Sequence, residues 1–268
     1  MLQQSAQLIP PSLPTGQNHL NPYIVQWLEL TGHSIDDFFY LTSWDLKSLP
    51  HFNKLKDMDR AVLRILKAME KEQMIAVFGD YDVDGTTSCA LLLRFFKKLG
   101  YTIKIYQPSR FVEGYGLHPK SVEIAAKDGI QLLITVDCGT SSHAAAEKAL
   151  ELGIDLIITD HHKDAAPTQP TCFAFINPNR RDELPGPMQA LAGVGVAFAL
   201  SLCIREELLK LGKNIESLYD LLPYVAIGTI SDLATLNAMN LTLCRHGYKA
   251  LLQSKDLGLR KFLEKKRT

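Results

Sequence analysis

Residues 74–100 read MIAVFGDYDVDGTTSCALLLRFFKKLG, and the fold follows from how this stretch divides. MIAVF (74–78) is a short, wholly apolar run, as expected of a strand covered on both faces. TTSCALLLRFFKKLG (86–100) reads as a helix with Gly100 as its stop. The same unit repeats downstream. YTIKIY (101–106) is a strand, and PKSVEIAAKDG (119–129) is a helix with Pro119 near its first turn and Gly129 at its end. QLLITV (131–136) is a strand, SSHAAAEKALELG (141–153) a helix, DLIIT (155–159) a strand, and CFAFI (172–176) one more. Strands separated by single helices imply right-handed βαβ crossovers and a parallel sheet. The expected class is α/β, a doubly wound parallel sheet.

Flanking segments read as helical. KDMDRAVLRILKAMEK (56–71) places Met58, Val62, Ile65, Leu66 and Met69 at helical spacing, with charges opposite. It is an amphipathic lead-in helix, preceded by a loose Pro-, Gln- and Asn-rich arm over 1–22. After 186 the pattern is helical to the end. Domain boundaries are expected at 1–72, 73–235 and 236–268. The longest uncharged apolar run, ALAGVGVAFALSLCI (190–204), is shorter than the ~20 residues of a spanning helix and reads as a buried core helix. The start, MLQQSAQLIPPSLP, lacks the pattern of a secretory signal.

Composition narrows the function. The 268 residues are 46% hydrophobic and 22% charged, which excludes a disordered or collagen-like chain. Lys+Arg and Asp+Glu are 29 each, so a strongly basic whole-surface nucleic-acid binder is excluded and only a local basic groove stays open. Five cysteines without a CxxC pair argue against a disulfide framework or zinc ribbon and for reduced thiols in the cytoplasm. No GxxxxGK[ST] occurs, so a P-loop is absent. Membrane attachment is not expected.

Ligands of open parallel sheets bind beyond the strands' carboxyl ends. The first strand runs into Asp80, Asp82 and Asp84; the third into Asp137; the fourth into Asp160-His161-His162. Five carboxylates and two imidazoles on one rim would repel and raise each other's pKa values unless divalent cations bind there. Mixed oxygen and nitrogen ligands suit Mn²⁺, Zn²⁺ or Fe better than Ca²⁺. So many acids suggest two ions, with Asp137 as the bridge, because the third strand lies between the other contributors in most doubly wound orders. Two such ions are the standard device for phosphodiester hydrolysis.

Structural readings compete at each position. An Asp ending a strand can be a turn former or cap, but three acidic strand ends together favour chemistry. Asp232, in AIGTISDLATL (226–236), either meets a cation or caps a helix N-terminus. Arg110, on the loop after the second strand, either binds phosphate or is solvated. The glycines of ALAGVGVAF (190–198) either serve close packing or approach a phosphate. Cys138 reads as a buried thiol, and His118, His143 and His246 as structural or solvent-facing. Asp82-Val83-Asp84-Gly85-Thr86 also matches DxDGT of haloacid-dehalogenase-type phosphatases, with Asp82 as nucleophile and Asp84 as acid/base. That reading leaves Asp80, Asp137 and the histidines idle.

The segments FGDYDVDGTTS, PSRFVEGYGL, ITVDCGTS, IITDHH, FINPNR, LAGVGVAF and AIGTISD occur in the order found in the DHH phosphoesterase superfamily. Within it the chain most resembles the RecJ-type single-strand-specific exonucleases, from about residue 44 to 255. The resemblance implies a 5′→3′ exonuclease on single-stranded DNA, acting in repair and recombination with two divalent cations, Mn²⁺ preferred or Mg²⁺. It implies metal ligands at Asp80, Asp82, Asp84, Asp137, His161 and Asp232. It makes His162 a phosphate contact or proton-transfer group, Asp160 a residue that orients one of the two histidines from behind, and Arg110 a phosphate-binding residue. An oligonucleotide phosphodiesterase of the same superfamily and a non-catalytic DNA- or partner-binding fragment are the alternatives. The family continues with a GGxHxxAAG-like motif and an OB-like module, neither of which occurs in these residues. Residues 236–268 would then begin the connection to a second domain, and a separate C-terminal half or repair proteins would be partners.

Overall fold

The computed structural model describes residues 21–32, 45–108, 114–163 and 168–264. Five parallel strands, β1 (Ile75–Gly79), β2 (Lys104–Tyr106), β3 (Leu132–Val136), β4 (Asp155–Thr159) and β5 (Ala174–Ile176), form one sheet in the order β2-β1-β3-β4-β5. The helices are α1 (Pro22–Thr31), α2 (Met58–Glu70), α3 (Val83–Lys98), α4 (Pro119–Lys127), α5 (His143–Glu151), α6 (Gly193–Lys210), α7 (Leu222–Ser231), α8 (Ala238–Leu252) and α9 (Leu257–Glu264). Alternate strand residues build two cores. Ile75, Val77, Ile134 and Ile157 pack with α2, α3 and α6. Ala76, Phe78, Leu133 and Ile158 pack with α4 and α5. With both faces covered, the strands gain nothing from polar residues, and β1 and β3 are buried throughout.

The expected α/β class and doubly wound order hold, and β3 does lie between β1 and β4. The edge strands are shorter than expected, three residues each. Helix α3 starts three residues earlier than its apolar pattern, because Asp82 caps it by accepting from Gly85 N at 2.8 Å. This puts Asp84 inside the first turn. The 190–204 run is the buried helix α6, beginning at Gly193. Helix α1 begins at Pro22 with Asn21 as its cap, so the loose-arm reading of 1–22 fails at its last two residues. Residues 1–20 and Arg110 lie outside the described residues. Among the described residues no helix is long and apolar enough to cross a membrane.

Two contacts tie the lead-in to the far edge of the sheet. Asp57, just before α2, accepts from Phe175 N (3.1 Å) and from Arg180 Nη1 (3.0 Å). Arg180 also donates to the Phe175 carbonyl and to Asp182. This anchors the turn at Asn177–Arg180, which borders the site.

Candidate metal centre

Register brings the acids together. Gly79 pairs with Val136, and Val136 with Thr159. The next residues, Asp80, Asp137 and Asp160, therefore lie side by side at the carboxyl edge, at an inter-strand spacing of ~4.8 Å. Asp137 adopts φ 58°, which turns the chain sharply off the sheet. All three are at most 2% exposed.

Asp84 is held at the start of α6. Its Oδ2 accepts from Gly193 N (2.6 Å) and its Oδ1 from Val194 N (2.9 Å). Such a helix start favours an anion. A Cβ on Gly193 would lie 2.6 Å from Asp137 Cβ and 2.7 Å from its Oδ1. The glycine is what lets α6 approach both acids. Gly195 instead faces Leu191, so one glycine of the motif serves the site and the other serves packing.

His161 Nε2 lies 3.1 Å from Asp137 Oδ1, 3.7 Å from Asp84 Oδ2 and 3.9 Å from Asp232 Oδ2. It has no hydrogen-bond partner, nor do both oxygens of Asp137 and Oδ1 of Asp80, all buried. Orphaned buried polar atoms are costly. Four of them converging in one place match the donor set a divalent cation requires. Three groups bring potential ligand atoms within 4.8 Å of one another: Asp80, Asp82 and Asp137; Asp84, His161 and Asp232; and Asp137, His161 and His162. Asp137 belongs to two of them. Asp232 is at the C-terminal end of α7, so its helix N-cap reading is wrong. A carboxylate at a helix's negative pole is itself unfavourable and gains from a cation.

Protonation follows burial and crowding. Burial, then the charges of Asp84, Asp82 and Asp160, pushes Asp137 up to about 11. Burial pushes Asp84 up to about 6, against the pull of the Val194 N–H and His161. Burial also raises Asp80 and Asp232. Asp160 is the exception. Burial would raise it, but hydrogen bonds from His162 and Thr140 outweigh this and hold it at about 2. Its Oδ1 accepts from His161 N (2.7 Å), His162 N (3.1 Å) and His162 Nδ1 (2.7 Å), and its Oδ2 from Thr140 N (2.9 Å). The bond to Asp160 raises the His162 pKa in turn. Asp160 thus holds His162 through Nδ1 and fixes which ring nitrogen is engaged.

Several neighbours lie in PSRFVEGYGL or FINPNR, or directly before the first, without a role that the sequence reading assigned to them. Tyr115 sets its hydroxyl 3.1 Å from His162 Nδ1, with the rings edge-on. Gln107 donates to the Asp80 carbonyl (2.8 Å) and to Thr86 (2.7 Å). Asn177 and Asn179 bond the backbone of the histidines. Cys138 is fully buried and its thiol is pushed well up by burial, so it is no nucleophile. His118 precedes α4 on the surface, and His246 packs edge-on against Tyr219, both away from the cluster. The covalent-phosphatase reading leaves the buried, unpartnered oxygens of Asp137 and His161 Nε2 without a role.

A doubly wound sheet with this acidic and imidazole edge is the architecture of the DHH family, to which the chain belongs. Residues 74–229 match the family's N-terminal domain. The chain is 41% identical over 227 residues to the single-stranded-DNA-specific exonuclease RecJ of Escherichia coli K12, covering 78% of this chain and 39% of that protein. It is 35% identical over 255 residues to RecJ of Bacillus subtilis 168, covering 93% and 30%. Its structure resembles the crystal structure of exonuclease RecJ bound to manganese, with TM-score 0.70 and 33% identity, covering 81% of this chain and 52% of that one. The chain spans well under half the length of the curated relatives it matches.

Proposed function

We propose that this chain hydrolyses phosphodiesters of single-stranded DNA as a metal-dependent 5′→3′ exonuclease, with two divalent cations, Mn²⁺ preferred or Mg²⁺. The observation carrying this reading is Asp137, buried, with both oxygens unpartnered and shared between two ligand groups. Asp84, His161 and Asp232 would hold one ion; Asp80 and Asp82 would hold the other; Asp137 would bridge. The chemistry such a pair supplies is a more acidic water and stabilised attacking and leaving oxygens.

The chain's own residues do the rest. Asp84, pinned to the start of α6, keeps that helix against the centre. His162 has Nδ1 bound to Asp160, and its Nε2, 3.4 Å from the Tyr115 hydroxyl, would contact the scissile phosphate or pass a proton. Arg110 would bind phosphate from the loop after β2. The partner is single-stranded DNA in the cytoplasm. A separate C-terminal half or repair proteins would complete the DNA cleft.

The test is release of 5′-mononucleotides from end-labelled single-stranded oligonucleotide with Mn²⁺. Loss of at least ~100-fold in Asp137→Ala is expected, since an unsupported centre forfeits positioning. No release above that variant would overturn the proposal. Preference for short oligonucleotides without 5′ polarity would favour the phosphodiesterase alternative.

A further inference from the structure

β1 and β3 run on to helices α3 and α5 after three and six intervening residues, but β4 is followed by an irregular segment at His161–Lys163. No helix stiffens the two histidines, and their backbone bonds go elsewhere. Asp160 Oδ1 accepts from both N–H groups. Asn179 Nδ2 donates to the His161 carbonyl at 2.7 Å and to the Gln189 carbonyl at 3.1 Å. Asn177 Nδ2 donates to the His162 carbonyl at 2.8 Å and to Thr140 Oγ1 at 2.8 Å. Asn177 Oδ1 accepts from Asn179 N at 2.7 Å, so the two amides form one unit. All four backbone polar groups of the pair are therefore held by side chains. Asn177 is fully buried and its turn is anchored by Arg180.

We infer that Asn177 and Asn179 are positioning residues of the metal centre, a side-chain clamp on a histidine segment that is not helical among the described residues. His161 Nε2 has no hydrogen bond of its own. Its place 3.1 Å from Asp137 and 3.7 Å from Asp84 is therefore set through its backbone, which Asn179 holds. Asn177 does the same for His162 and ties it to the loop after β3 through Thr140. The clamp is specific to the imidazoles: neither asparagine bonds Asp80, Asp82, Asp84 or Asp232.

This inference rests on the metal-dependent reading, and its test separates the two. Mn²⁺ binding is measured by titration with electron paramagnetic resonance on the whole chain, alongside melting in chelator. Asn179→Ala should weaken Mn²⁺ binding by ~10–100-fold, as orienting partners of metal ligands do. Asn177→Ala should do the same and melt lower, since it also strands Thr140. Ile65→Val, a core change in α2 far from the centre, should lower melting while leaving Mn²⁺ affinity at wild type. Wild-type affinity in both asparagine variants would overturn the clamp, as would an equal loss in Ile65→Val. A wild type that binds no Mn²⁺ would sink the metal reading instead. The clamp is then decided by imidazole nitrogen resonances in chelator. Distinct signals for His161 and His162 that merge or shift in the variants support it, and unchanged signals overturn it.

Discussion

Asp137 combines left-handed backbone, φ 58°, with a carboxylate whose two buried oxygens have no hydrogen-bond partner. Pushed up to about 11, it keeps a proton at neutral pH when no cation is bound. The folded chain therefore carries a cost that the site's chemistry requires. Asp137→Asn removes the ionisable group while keeping a residue tolerant of that backbone region. We expect it to stabilise the metal-free protein by on the order of 2 kcal/mol, or roughly 4–8 °C in melting temperature, while abolishing cleavage. Melting in chelator and oligonucleotide cleavage, measured on the same preparation, check both halves. The direction of pH dependence follows from the same cluster. Asp84 is raised from 3.8 to about 6. Its folded-state stability is full below 3.8 and is lost as pH rises through 6; Asp137 and His162 shift in the same direction. Asp160, held at about 2, gives up its contribution only as pH falls from 3.8 through that value. Metal-free protein should thus melt higher near about pH 5 than near about pH 7.5, and Mn²⁺ should erase or reverse the order. A chelated protein more stable at the higher pH would contradict this.

Among the elements, α6 does the most to assemble the centre, and its two glycines separate two roles. Gly193→Ala would force a methyl into Asp137 and withdraw the N–H groups that hold Asp84. A loss of ~100-fold in cleavage and of ~10-fold in Mn²⁺ affinity is expected. Gly195→Ala meets only the Leu191 side chain, which can rotate away, and should cost little of either. Equal effects of the two substitutions would refute the assignment. Much of this scale was legible in the sequence. Apolar strands, helices closed by glycine and acids one residue past the strands come from patterns that are local. The start of α3 was not legible, because it depends on the Asp82 side chain folding back onto Gly85. Nor was the division of labour within LAGVGVAF, where spacing alone does not say which glycine meets an acid. Asn177 and Asn179 stand in FINPNR, one of the segments that carry the resemblance, but the segment does not say what they hold. An amide bonding a carbonyl fifteen or more residues away leaves no periodicity. Asn21 with Pro22 was a readable helix start for α1 that the arm reading left aside.

Over the whole molecule, the candidate ligands come from just past the ends of β1, β3 and β4, from the start of α3 and from the end of α7, separated by up to 152 residues between Asp80 and Asp232. In the unfolded chain these side chains are dispersed and bind cations weakly, so ion binding and folding are linked. Each ion at ~100 times its dissociation constant adds about 2.7 kcal/mol to the folded state. Two ions would add about 5 kcal/mol, and at roughly 2–4 °C per kcal/mol the melting temperature should climb by more than ten degrees. The gain should continue with the logarithm of Mn²⁺ concentration, and Ca²⁺ should do less because the imidazole suits it poorly. Asp137→Ala should flatten the climb by removing the shared ligand. Hydrogen exchange should show where the coupling lies. Mn²⁺ should slow exchange together at the carboxyl ends of β1, β3 and β4, at the start of α6 and at the end of α7, while α1 and α9 stay unchanged. Protection confined to one of these strand ends would mean a single-residue surface contact and not a centre that joins the sheet to α6 and α7.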